Sequence, residues 1–218
     1  MRIMKTQGRC YLCGLKTDLE SMAKHLQTEH LTDEAVQETC LLEVAAEDSA
    51  YWLFLDMPLT ATLESLDAFL REIWFECADH TGVFMLEQDE NERLELHMPI
   101  SVLQTGQTIR YRYTGMYPTD AKITILGRMN RLAQPEPLRL MARNVMYMIK
   151  CSLCDSFADA YDDFNGIPDF LCADCCDVYQ LTADGVIKDT PAMGKCVNCG
   201  AHDHYAFDPA KVKPVEQR

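Results

Sequence analysis

Short apolar runs separated by polar turns dominate the middle of the chain and predict several β-strands. Residues 50–57 are almost continuously apolar and stop at Pro58, a pattern typical of a buried strand. The run 83–86 predicts a second strand, and residues 108–113 alternate with a period of two. Residues 121–126 follow after a short turn and predict a further strand.

One amphipathic helix is predicted between the first two of these strands. Thr62 is a good N-cap, and apolar positions recur every three or four residues from there to about Cys77. The stripe consists of Leu63, Leu66, Phe69, Leu70, Ile73 and Trp74. Strands combined with one main helix predict an α+β domain with a small mixed sheet over residues 36–148.

The first thirty residues carry the ligand pattern of a two-cysteine two-histidine zinc finger. Cys10 and Cys13 are followed, after eleven residues, by His25 and His30. So short a segment cannot bury enough apolar surface to stay folded by itself. We therefore expect a domain over residues 1–31 whose stability comes from bound zinc.

A helix is predicted inside this finger, with Thr17 as its cap and Glu20 completing a capping box. The small core of the finger is expected to consist of Leu19, Met22 and Leu26. The helix positions that would face DNA bases are Asp18, Glu20, Ser21 and Lys24. Two of these four side chains are acidic, which favours a structural or protein-binding finger over one that reads DNA.

Paired cysteines from residue 151 onward predict a second zinc-binding segment over residues 149–210. Two CxxC pairs separated by 17 residues have the spacing of one four-thiolate site, formed by Cys151, Cys154, Cys172 and Cys175. A further site is expected from Cys196, Cys199, His202 and His204. The pairs could instead interleave, although the shorter loop favours sequential pairing because its closure costs less entropy. Cys176 is then a spare thiol, and Cys40 and Cys77 are expected in the core.

The charge pattern bears on possible partners. The chain has 218 residues and a formal net charge of −14. Residues 32–98 hold 17 acidic and two basic side chains, whereas residues 99–150 hold eight basic and two acidic ones. This balance disfavours long-range attraction to nucleic acid, but the second stretch could form a local basic surface. The candidates for it are Arg110, Arg112, Lys122 and Arg128. The tyrosines between these arginines could stack bases, although an aromatic core face beside a charged wet face is the commoner arrangement.

The hydropathy of the chain and its cysteine content indicate where in the cell the protein is expected. No apolar run reaches the roughly 18 residues that a membrane helix needs, and the N-terminus lacks the apolar core of a signal peptide. We therefore expect a soluble, cytoplasmic protein. In a reducing compartment its eleven cysteines are expected to bind metal rather than form disulfides.

Three segments are similar, in this order, to the plasmid pRiA4b ORF-3-like family: TATLESLDAFLREIWFECADHTGVF, YRYTGMYPTDAKITILG and LRLMARNVMYMIKCSLC. The likeness covers about residues 50–155 and extends loosely to residue 200. Family members often carry a His-Leu-Ser/His-x-Phe turn and a Tyr-Asp-Phe-Gly motif where this chain has HTGVF and YTGM. The resemblance implies an α+β domain, sometimes found near transposable elements, and no established activity.

Motifs of zinc and redox enzymes are missing from the sequence. There is no HExxH, no His-x-Glu ahead of PCxxC, and no CxxC in a thioredoxin-like setting. We therefore expect a non-enzymatic zinc-binding protein that acts as a macromolecular binding module, with a protein as its partner. Two alternatives stay open: a nucleic-acid-associated regulator linked to mobile elements, and a zinc-dependent hydrolase whose incomplete site includes His202 and His204.

Overall fold

The chain forms two compact units. One holds the described residues of 1–145 and 192–218, and the other those of 146–191. The structure is a computed structural model that describes residues 6–30, 36–47, 51–75, 82–114, 119–132, 138–144, 150–156, 158, 160–162, 169–181, 185–186 and 209–211. Within these ranges, no helix is both long and apolar enough to cross a membrane.

A nine-stranded sheet is the frame of the first unit. Its strands are β1 (Gln7–Cys10), β2 (Lys16–Asp18), β3 (Val36–Ala46), β4 (Trp52–Pro58), β5 (Gly82–Leu86), β6 (Asp89–Leu94), β7 (Thr108–Tyr113), β8 (Thr119–Leu132) and β9 (Arg139–Asn144). They lie in the order β2-β1-β9-β4-β3-β8-β7-β5-β6. Each strand pair described in this sheet is antiparallel. The sheet is therefore much larger than the small mixed sheet that we predicted.

The strands predicted at 83–86, 108–113 and 121–126 are confirmed as parts of β5, β7 and β8. The strand predicted at 50–57 is confirmed from Trp52 onward as β4, which also includes Pro58, while Ala50 lies outside the described residues. Strand β3 was missed, although all eleven of its residues pair with β8 and seven of them also pair with β4. The pairing of β3 with β8 shifts register between Leu41 and Leu42. Such an irregularity breaks the period-two pattern by which a half-buried strand is found in a sequence.

Three α-helices are present among the described residues: α1 (Leu19–Thr28), α2 (Leu63–Leu70) and α3 (Ala173–Tyr179). The predicted cap of α2 is confirmed, since the Thr62 hydroxyl accepts a hydrogen bond from the Ser65 amide. After α2 the chain continues as a π-helical segment, Arg71–Phe75. The entire predicted apolar stripe is buried in one cluster with the inner side chains of the central strands. Cys77, where the helix was predicted to end, lies outside the described residues.

A second apolar cluster lies on the opposite face of the sheet and includes the finger. Met22 and Leu26 of α1 are fully buried there with Leu41, Phe54 and Met141. Strand β1 pairs with β2 on one side and with β9 on the other. The finger that we expected as a separate domain over residues 1–31 therefore shares its sheet and its core with residues more than a hundred positions away.

A buried carboxylate joins α2 to strands β5 and β7. Asp67 accepts hydrogen bonds from the Tyr111 hydroxyl at 2.8 Å, the Gly82 amide at 2.9 Å and the Arg71 Nε at 2.9 Å. A side chain at residue 82 would collide with the Tyr111 ring, so the close approach requires glycine. The three donors and their one acceptor hold the helix in place on the sheet.

We expect Asp67→Ala to lower the free energy of unfolding by about 3–4 kcal/mol, because two buried donors lose their acceptor. Urea unfolding measures this change. The matched control is Glu64→Ala, on the exposed side of the same helix, which should change stability by less than about 1 kcal/mol. Equal effects of the two substitutions would show that the network contributes little.

The second unit contains three short strands and the helix α3 among its described residues. Strands β10 (Ala160–Asp162), β11 (Asp169–Leu171) and β12 (Gly185–Val186) form a sheet in the order β11-β10-β12. Strand β11 leads directly into α3, whose N-cap is Cys172. This connection places two cysteines at the beginning of a helix.

Candidate metal centres

The first cluster, the finger site, is assembled by the β1–β2 hairpin and by the end of α1. Cys10 ends β1, and the turn after it contains Cys13 and Gly14. Gly14 has a φ of 79°, and its amide donates to the Cys10 carbonyl at 2.9 Å. This left-handed turn folds Cys13 back beside Cys10. His25 lies in the last turn of α1, and His30 follows two residues after the helix ends.

The four ligand atoms lie at a spacing that is compatible with one bound zinc ion. The His30 Nε2 is 3.5 Å from the Cys10 Sγ, and the His25 Nε2 is 3.3 Å from the Cys13 Sγ. The two Nε2 atoms are 3.0 Å apart, and all four ligand atoms lie within 4.8 Å of one another. A tetrahedral zinc with its usual bond lengths separates such atoms by about 3.3–3.8 Å. Two of the distances fall in that range and the third is a few tenths of an ångström below it.

The helix that supplies His25 begins one residue later than predicted. The Asp18 carboxylate accepts a hydrogen bond from the Ser21 amide at 2.9 Å and is the N-cap. Thr17, the predicted cap, is still in β2, opposite Gly8. The prediction was wrong because both residues are good caps and strand pairing decided between them. The predicted core is confirmed, with Met22 and Leu26 buried and Leu19 packed against them.

The environment of the finger site acts in opposite directions on the acidity of His30 and of Cys10. Burial lowers the pKa of His30 to about 4, helped by the positive charges of His25 and Arg131, so its ring is neutral at pH 7. A neutral imidazole is the form that binds a metal. Burial raises the pKa of Cys10 to about 11, although the amides of Cys13 and Leu12 donate to its sulfur and act in the opposite direction. Those two donors are placed to stabilise a thiolate once a cation has displaced the proton.

The second cluster, the four-cysteine site, joins a knuckle at residues 151–154 to the beginning of α3. It brings together Cys151, Cys154, Cys172 and Cys175, whose sulfur atoms all lie within 4.8 Å of one another. The Sγ atoms of Cys154 and Cys172 are 3.6 Å apart, close to the roughly 3.8 Å expected for two thiolates on one tetrahedral zinc. This set is the sequential pairing that loop closure favours.

Backbone amides and crowded sulfurs shape the acidity of the four-cysteine site. Burial alone would raise the pKa of Cys151, but the amides of Leu153 and Cys172, each 3.4 Å from its sulfur, help to lower it to about 6. Burial and the neighbouring sulfurs raise the pKa of Cys175. Four sulfurs this close cannot all be thiolates without a cation, so the arrangement suits a divalent metal.

Of the other predicted ligands and cysteines, some lie outside the described residues and others are placed by the structure. The candidates for a further site, Cys196, Cys199, His202 and His204, lie outside the described residues. Cys40 is buried in the cluster beneath α2, as predicted. Cys176 is half-buried next to the four-cysteine site and is not one of its members. All eight cysteines within the described ranges are free of disulfides.

The four basic residues considered for nucleic-acid binding all have partners within the protein. The Arg112 guanidinium binds both oxygens of Asp120, at 2.7 and 2.8 Å. Ion pairs also join Arg110 to Glu47 at 3.1 Å and Lys122 to Glu87 at 2.7 Å. The Arg128 Nη2 donates to the Ser101 carbonyl at 3.1 Å. Tyr111 and Tyr113 are buried and cannot stack bases. The aromatic core face and the charged outer face of β7 are therefore confirmed, and they argue against a phosphate-binding strand.

Two buried charged residues beside the finger were missed by sequence reasoning. Asp56 and Arg131 are 0% and 1% exposed, and the Arg131 Nε lies 3.4 Å from the Asp56 Oδ2. A signal was available, because Asp56 interrupts an otherwise apolar strand and a buried charge needs a partner. Nothing in the sequence indicates that this partner is Arg131.

Comparison with protein-family models, with curated proteins and with solved structures gives no match for the chain. The similarity of residues 50–155 to the plasmid pRiA4b ORF-3-like family therefore stays a prediction. The geometry of the finger site and of the four-cysteine site is the observation from which a function can be argued.

Proposed function

We propose that this chain is a non-enzymatic zinc-binding protein, in which two structural zinc ions hold surfaces that a protein partner recognises. The observation that carries the proposal is the completeness of both ligand sets. Each offers four protein ligand atoms that all lie within 4.8 Å of one another. Catalytic zinc normally has three protein ligands and keeps the fourth position for water or substrate. Two complete ligand sets favour a structural role for the metals that they would bind, whereas the hydrolase alternative concerns His202 and His204, which lie outside the described residues.

The donor atoms favour zinc among the common metals. Thiolate and imidazole suit zinc, whereas magnesium and calcium prefer carboxylate and carbonyl oxygen. Neither of the two clusters contains a carboxylate. Iron can occupy a four-thiolate site, but two cysteines with two histidines in a small finger are typical of zinc.

Surface chemistry favours a protein partner. The second unit exposes large apolar side chains, among them Val178 at 73% and Tyr179 at 59%, with Leu153 and Leu181 also exposed. Exposed apolar side chains of this size often mark binding surfaces. The net charge of −14 and the internally paired arginines of β7 disfavour the nucleic-acid alternative.

Elemental analysis of the purified full chain should give two zinc ions, or three if residues beyond the described ranges form a further site. At a stoichiometry of two, X-ray absorption at the zinc edge should show an average of about three sulfur and one nitrogen ligands per ion. Cys154→Ser should remove one zinc and shift that average toward nitrogen. Folded protein that contains no zinc, or iron in its place, would refute the proposal. Salt-dependent retention on duplex DNA would instead support the nucleic-acid alternative.

A further inference from the structure

Helix α1 has to end before His30 so that this histidine can reach the same metal as His25. Side chains five residues apart on a helix point about 140° away from each other, so His25 and His30 cannot share a ligand face while both are helical. Helix α1 accordingly ends at Thr28, and Glu29 is extended. His30 then has a φ of 52°, in the left-handed region that residues other than glycine rarely adopt. Such a conformation persists only where the surroundings hold it.

An opened helix end leaves backbone carbonyls that need donors. In a continued helix, the Leu26 carbonyl would accept a hydrogen bond from the amide of His30. Here the Arg131 Nη2 donates to the Leu26 carbonyl at 2.8 Å, and the Arg131 Nη1 donates to the His30 carbonyl at 3.0 Å. One planar guanidinium thus bridges the last turn of the helix and the ligand residue itself.

Arg131 is fixed in turn by the centre of the sheet. It lies on β8, 101 residues along the chain from His30. Its Nε faces the buried Asp56 carboxylate of β4 at 3.4 Å. Burial raises the pKa of Asp56, while the Thr39 hydroxyl and the charges of Arg131 and Arg139 oppose that rise. The guanidinium therefore has little freedom to move relative to the two carbonyls.

We propose that Arg131 is a positioning residue for the finger site, which sets zinc affinity by holding the His30 backbone in its left-handed conformation. The inference rests on the proposed zinc binding. It means that zinc affinity at the finger site depends on Arg131, a residue of the sheet outside residues 1–31. It also assigns a role to Asp56, whose buried carboxylate anchors the Arg131 side chain. Partners that orient metal ligands typically change metal affinity by 10- to 100-fold.

The first test uses Arg131→Lys in the full chain. Lysine keeps a positive charge beside Asp56, but its single ammonium cannot reproduce the planar fork toward two carbonyls. Chelator competition should show a loss of zinc affinity of roughly 10-fold at the finger site. The four-cysteine site of the same molecules is an internal control and should keep its affinity. Co²⁺ absorption bands distinguish the two sites, because their sulfur and nitrogen ligand sets differ.

The matched control variant is Arg128→Lys, on the same strand, where the side chain contacts the Ser101 carbonyl instead of α1. It should leave both affinities unchanged. If Arg131→Lys binds zinc at the finger site within twofold of the wild type, the inference is wrong although the proposed function stands. A wild-type finger site that binds no zinc would overturn the proposed function and this inference together.

A double variant separates positioning from mere packing. Arg131→Met alone leaves the Asp56 charge buried without its partner, whereas Asp56→Asn with Arg131→Met removes both charges. If Arg131 serves only to compensate Asp56, the double variant should recover both thermal stability and zinc affinity. We expect stability to recover substantially, while zinc affinity at the finger site stays at least 10-fold below the wild type. Recovery of both would overturn the inference.

Discussion

Cys175→Ser should release the zinc of the four-cysteine site and unfold the second unit. The buried apolar residues described in this unit are Cys151, Leu171, Cys172 and Cys175. Three of these four are proposed zinc ligands, so among the described residues of this unit the metal would take the place of an apolar core. Structural zinc contributes roughly 10–16 kcal/mol in small zinc-binding peptides, far more than so few apolar side chains can supply.

Zinc release detected with a colorimetric chelator and backbone NMR of the second unit measure this effect. Cys176→Ser is the matched control, because it makes the same substitution at the adjacent position. It should keep the zinc and cost about 1–3 kcal/mol at most. Loss of zinc from Cys176→Ser but not from Cys175→Ser would mean that the ligand set is displaced by one residue. Cys196→Ser should leave this ion in place, and its release would show that the cysteine pairs interleave.

His30→Ala should lower the melting temperature of the first unit by roughly 10–20 °C. Loss of the ligand opens the finger and exposes Met22 and Leu26, which are both fully buried against the sheet. Burying a side chain of this size contributes roughly 1.5–3 kcal/mol, so the two together contribute about 3–6 kcal/mol. Total stability is commonly about 5–15 kcal/mol, and such a loss is therefore a large part of it.

Calorimetry of the full chain measures this shift, with Lys24→Ala as the control on the exposed face of the same helix. That control should stay within about 0.5 kcal/mol of the wild type. The ligand pattern alone suggested that the finger would unfold by itself and leave the rest of the chain unchanged. An unaltered melting temperature of the sheet in His30→Ala would support that simpler view and contradict the packing of α1.

Features that depend on local spacing could be predicted from the amino-acid sequence. The ligands Cys10, Cys13, His25 and His30 lie within one short segment, whose spacing already limits which atoms can meet. The stripe after Thr62 is buried as its helical period predicts, and residues 108–113 form a strand with the predicted bounds. Periodicity identifies such elements because each side chain's orientation follows from its position in the element.

The contacts between distant segments could be seen in the folded chain alone. Strand β1 of the finger pairs with β9, and Arg131 reaches the end of α1 from the far part of the chain. Three of the four basic residues that could have formed a nucleic-acid surface are instead paired with carboxylates, among them Glu47 and Glu87. Strand order and ion pairs depend on which of many possible long-range contacts bury the most apolar surface and satisfy the most polar groups at once. Local periodicity carries no information about that choice.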